Sequence, residues 1–69
     1  MIDYTIVKEI KTIGDKGKAL NVVKWGDHAG KLDLRTWVRG KEEVSPGKGL
    51  TLTDEEAQQL LEGLQEYFA

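Results

Sequence analysis

The chain changes its hydrophobic period once, and that change divides it into a sheet and a helix. Over roughly the first fifty residues apolar positions alternate with polar ones, the period-two pattern of half-buried strands. Ile2 to Ile13 sets Ile and Val among Thr and charged residues and stops at Gly14-Asp15-Lys16-Gly17, a turn by composition. Ala19 to Trp25 reads as a second strand, closed by Gly26-Asp27-His28-Ala29-Gly30. Lys31 to Arg39 is the clearest strand, with Leu32, Leu34 and Val38 alternating against Lys31, Asp33, Arg35 and Trp37. Gly40 to Gly49 reads as a loop rich in charge, Pro and Gly, and Leu50-Thr51-Leu52 as a short fourth strand.

After Thr53 the period becomes helical. Thr53-Asp54-Glu55-Glu56 has the form of a capping box, and its acids suit the positive end of a helix dipole. Ala57, Leu60, Leu61, Leu64, Tyr67 and Phe68 then recur at spacings of three and four, predicting a helix from about Asp54 to Phe68. Gly63 inside it costs about 1 kcal/mol relative to alanine. The predicted order is β-β-β-β-α. Its connections are too short for parallel crossovers, so the expected fold is α+β, an antiparallel sheet followed by one C-terminal helix. Residues 1–69 form one domain, with no internal repeat.

One helix covers one side of such a sheet. The side carrying Leu32, Leu34 and Val38, joined by Leu20, Val22, Leu50 and Leu52, is expected beneath it. The other side then shows Lys31, Arg35 and Trp37, and the same parity adds Asn21, Val23 and Trp25 from the second strand. Two tryptophans on an uncovered face have two explanations. One is ordinary cross-strand packing on a half-exposed sheet. The other is a stacking platform for unpaired bases, flanked by cations that hold phosphates.

Charge sharpens that choice. The 69 residues carry 10 Lys/Arg and 12 Asp/Glu, a formal net charge of −2, with 39% hydrophobic and 32% charged residues. Residues 1–53 hold all 10 basic groups against 7 acidic ones, whereas 54–69 hold 5 acids and no base. An anionic partner therefore meets the sheet rather than the helix. A core of this size is marginal alone, and small domains add disulfides, a metal or a partner subunit. With no cysteine and the single histidine His28, neither a disulfide nor a multi-His or thiolate metal site is expected, which leaves the partner subunit. No run of 18 apolar residues predicts a membrane span, and MIDYTIVKEIK lacks the pattern of a signal peptide, so the cytoplasm is the expected location.

Catalysis is not expected. A Ser-His-Asp arrangement would have to be built from Ser45, His28 and Asp27 in two Gly-flanked turns. Pro46-Gly47-Lys48-Gly49 lacks the earlier glycine and the following helix start of a Walker loop, though its amides and one ammonium suit a phosphate. No cofactor and no small-molecule substrate are predicted.

Lys24-Trp25-Gly26, then Gly30-Lys31-Leu32-Asp33-Leu34-Arg35-Thr36-Trp37, then Pro46-Gly47-Lys48-Gly49-Leu50-Thr51-Leu52-Thr53 together resemble the transcriptional positive cofactor 4 family. The likeness runs from about Lys18 to Phe68 and is closest to the family's small bacterial members. It implies a strongly curved four-stranded antiparallel sheet and one helix, dimerising largely through the helices. It also implies sequence-independent binding of single-stranded DNA along the curved sheets, in support of transcription regulation, replication or repair. Lys31 and Arg35 match the family's basic strand positions, Trp37 and Trp25 its aromatic positions, and Lys48 its basic residue before the last strand.

The resulting expectation is a homodimer that binds single-stranded DNA, or RNA through the same groove. Trp25 and Trp37 are expected to stack on bases, and Lys24, Lys31, Arg35 and Lys48 to contact phosphates. Lys16, Lys18 and Arg39 are outer contributors, while the strand face of Lys8 and Lys11 is open. Leu61, Leu64, Tyr67 and Phe68 supply the dimer interface. The rival is a protein-interaction module that grips a partner with its tryptophan face.

Overall fold

A computed structural model describes residues 3–69 as β1 (Tyr4–Ile13), β2 (Lys18–Trp25), β3 (Lys31–Arg39), β4 (Val44–Leu52) and α1 (Asp54–Tyr67). The expected start of the first strand at Ile2 lies outside the described residues. All neighbouring strands pair antiparallel in the order β1-β2-β3-β4, so the β-β-β-β-α architecture is the one the periodicity predicts. The capping box also forms. The Glu56 amide donates to Thr53 Oγ1 at 3.1 Å, and the Thr53 amide donates to Glu56 Oε1 at 2.8 Å.

The fourth strand is three times longer than the sequence pattern suggests. Val44 to Gly49, expected as loop, belongs to β4. Its Pro and Gly are compatible with a strand because β4 is a sheet edge, where a missing N–H breaks no ladder on the open side. Gly49 is there because β4 runs hard against Arg35. A Cβ at Gly49 would overlap the Arg35 Cβ and Cα and crowd the Leu34 carbonyl at 2.5 Å. The glycine that reads as flexibility in the sequence is a close approach in the fold.

Register sorts the side chains into two faces. Leu20, Leu34 and Leu50 lie in one row and Val22, Leu32 and Leu52 in the next, forming the outer face. Asn21, Asp33 and Thr51, and then Ala19, Arg35 and Gly49, form rows of the inner face. The sheet curls toward that inner face. Tyr4, at the start of one edge strand, donates its phenolic hydrogen to the Val44 carbonyl at the start of the other, at 2.9 Å. Across a flat sheet three interstrand spacings would hold those edges about 14 Å apart. Two register shifts in β1 and one between β3 and β4 supply the extra bend and twist.

This curl relocates the core. The expectation of a helix sealing the Leu32–Leu34–Val38 side, with the tryptophan side bare, is corrected on both counts. Val38 stays 55% exposed and Leu50 49%, while α1 touches only β3 and β4 and buries none of its residues. The fully buried residues are Val23 and Asp33, with Asn21 and Trp37 close behind, and all four face inward. Burial comes from rolling up the sheet.

Candidate nucleic-acid interface

The inner face carries both tryptophans, as strand parity predicts, and a third aromatic ring joins them. Tyr4 sits 5.8 Å from the Trp25 ring and 5.3 Å from the Trp37 ring, in tilted contacts at 48° and 50°. These separations fall in the favourable range for aromatic pairs. The outcome is less open than a bare platform. Trp37 is only 9% exposed, Trp25 is half-buried, and neither indole Nε1–H has a hydrogen-bond partner.

Arg35 is tied down beside them. Its Nε and Nη2 each donate to Asp33 at 2.7 Å, Nη1 donates to the Gly47 carbonyl at 3.1 Å, and its guanidinium lies 4.6 Å from the Trp25 ring centroid. Thr51 adds a hydroxyl bond to the same carboxylate at 3.1 Å. Asp33 is completely buried, so a neutralising partner is obligatory. Arg35 thus holds the site's architecture, and its fork is already occupied.

Beside this cluster an open groove of about 580 Å³ runs along the inner face. Its floor and walls include Trp37, Asn21, Ala19, Thr12, Ile6, Ile10 and Val44, and Lys11, Lys18 and Arg39 stand among its lining cations. Glu9 also faces into it, next to Asn21 in the β1–β2 register. No helical residue lines the groove among the described residues. Gly17 shapes its end: its carbonyl accepts from the Trp37 amide at 2.8 Å, and its φ of +89° is one that L side chains avoid. Apart from Arg35, no lysine or arginine makes an ion pair among the described residues, leaving the groove cations available.

The predicted cations therefore separate. Arg39 lines the groove from the inner face, while Lys18 and Lys11 border it although their register with Thr36 and Leu20 gives them the outer parity of their strands. Lys31 shares the inner parity, in register with Val23, but does not line it. Lys48 belongs to a second cleft of about 380 Å³ with Ile13, Leu34, Arg35 and Thr36, and Lys18 borders both clefts. Lys24 has the outer parity and Lys16 sits in the β1–β2 turn. At the other end of the fold Leu61 and Leu64 are 48% and 46% exposed, and Tyr67 and Phe68 pack edge-on to each other at 4.8 Å while both remain 78% exposed.

Sequence reasoning missed Tyr4, Asn21 and Glu9. Tyr4 and Glu9 lie on a strand whose bulges break simple alternation, and parity gives Asn21 a face but no role. The family described as Transcriptional Coactivator p15 (PC4) matches residues 13–63, from the end of β1 to the last turns of α1. No curated protein matches the chain significantly.

Proposed function

The chain belongs to the Transcriptional Coactivator p15 (PC4) family, and on that footing we propose that it binds single-stranded nucleic acid in the inner groove, in support of transcription. The observation that carries this reading is the groove itself. Arg39, with Lys11 and Lys18 bordering, lines a groove that includes the Trp37 indole and no helical residue, and none of the three makes an ion pair among the described residues. Lysine and arginine hold the phosphates, and the remaining surface of Trp37 meets a base. Duplex DNA presents no unstacked base to that floor.

Two chains act together in this reading, joined through Leu61, Leu64, Tyr67 and Phe68. The support is physical: a helix that buries none of its own residues and exposes an apolar stripe gains stability from a second copy. Pairing would also supply a second groove for the same strand.

The test is a fluorescence titration with a single-stranded oligomer and with the matching duplex, at low and high salt. Tryptophan quenching by the single strand, weakening steeply with salt, is expected. Equal affinity for duplex, or affinity indifferent to salt, would overturn the proposal. Deoxy and ribo oligomers of one sequence rank DNA against RNA.

A further inference from the structure

Glu9 sets a problem for any groove that holds a polyanion, because a carboxylate inside it repels phosphates. Its charge is not neutralised: no ion pair to Glu9 forms among the described residues, although Lys11 and Arg39 line the same groove. Its register partner is Asn21, only 4% exposed, which also lines the groove and makes no side-chain hydrogen bond to another described residue.

The geometry points to a base-reading pair: Glu9 and Asn21 recognise the hydrogen-bonding edge of a nucleobase that carries an amino group. This inference rests on the reading that the groove takes a single strand. Glu9 is an acceptor only, and the Asn21 amide supplies a donor beside it. Cytosine offers the complement, its N4 amino group toward Glu9 and its N3 acceptor toward the Asn21 NH2. Adenine offers the same order through N6 and N1. Thymine and uracil reverse it, setting the O4 carbonyl against the Glu9 carboxylate and the N3–H against the amide donor. A carboxylate accepting from a cytosine amino group is a recurrent form of base readout.

Stacking and phosphate contacts work with any base, so the pair adds a preference to binding that is otherwise indifferent. Trp37 on the floor and the three cations hold the strand; Glu9 and Asn21 favour amino bases over keto bases at one position. The carboxylate then has a use that outweighs its repulsion.

Deoxycytidine and deoxyuridine oligomers of equal length test this, since the two pyrimidines differ in the groups at positions 3 and 4. At neutral pH the unmodified protein should bind the cytidine oligomer about five-fold or more tightly. Glu9→Val, at an exposed strand position, should bring the ratio close to one by strengthening uridine binding. Asn21→Ser should narrow the ratio as well. Binding of both oligomers with equal affinity would overturn the base-reading pair and leave the groove's proposed function standing. A preference that persists unchanged in Glu9→Val would also overturn it. Binding of neither oligomer would overturn both.

Discussion

Arg35 and Asp33 form a two-pronged ion pair, with both bonds at 2.7 Å, two residues apart on the inward-facing side of β3. Spacing of two puts their side chains on one face, and inward curl then buries the carboxylate completely. The pair is joined by Thr51 and the Gly47 carbonyl of β4, so it locks the edge strand as well. Removing one partner leaves a buried charge alone, which typically costs about 3–5 kcal/mol. Asp33→Ala should therefore lower the urea midpoint sharply or unfold the protein. Arg35→Ala combined with Asp33→Ala should be less damaging than the sum of the single variants, as a double-mutant cycle would register.

Gly49 extends the same argument to the backbone. Its missing side chain is what lets β4 lie against Arg35, and an added methyl would overlap the Arg35 Cβ. Gly49→Ala should cost at least about 1–3 kcal/mol, the usual range for forced overpacking. Gly63 is the internal contrast, since a Cβ there meets nothing within 4 Å. Gly63→Ala should stabilise by about 1 kcal/mol through helix propensity alone. Thermal unfolding of the two variants side by side checks both signs.

These two glycines show where the sequence is readable. Gly63 sits inside a helical period, and the capping box at Thr53 marks the helix start without reference to anything distant. Strand alternation likewise identifies β2 and β3 and puts Trp25, Arg35 and Trp37 on one face. Gly49 misleads because the reason for it lies on another strand: Pro46, Gly47 and Gly49 look like a loop until β3 is beside them. The contact from Tyr4 to Val44 spans forty residues and depends on how far the sheet curls. Alternation assigns faces, but it carries no information on curvature, so an open tryptophan face and a closed one look alike in the sequence.

The burial of the indoles beneath Tyr4 is itself measurable. Tyr4→Phe removes the phenolic bond to Val44 and should cost only about 0.5–1.5 kcal/mol, with the ring still in place. Tyr4→Ala removes the ring that touches both tryptophans. Its tryptophan emission should shift to the red and become more open to acrylamide quenching than in Tyr4→Phe. Identical emission from the two variants would contradict the aromatic packing described above.

Cations can be sorted by where they stand. Lys18 and Arg39 line the groove, whereas Lys24 lines neither cleft. Each phosphate contact to a single strand contributes about 0.7 to the slope of log affinity against log salt. Lys18→Ala and Arg39→Ala should each weaken oligomer binding and reduce that slope by about this amount. Lys24→Ala should leave the slope unchanged. A loss for Lys24→Ala equal to that for Lys18→Ala would place the strand elsewhere on the sheet.

The helix provides the last expectation, and it concerns stability together with assembly. Leu61 and Leu64 lie three residues apart on one stripe of α1, about half exposed, and α1 buries nothing against its own sheet. An amphipathic helix so placed gains little from its own chain, since most helical stability comes from packing of the apolar face. A second copy supplies that packing, and mass action then makes the unfolding midpoint rise with protein concentration. Leu61→Glu and Leu64→Glu would set a carboxylate into the shared surface of a helix that already carries five acids. Each should shift sedimentation toward the monomer, lower the unfolding midpoint and remove its dependence on concentration. The effect on the groove should be indirect, because no helical residue lines it. Concentration-independent unfolding of the unmodified chain, with the substitutions silent, would instead show that a single copy is stable with its apolar stripe facing water.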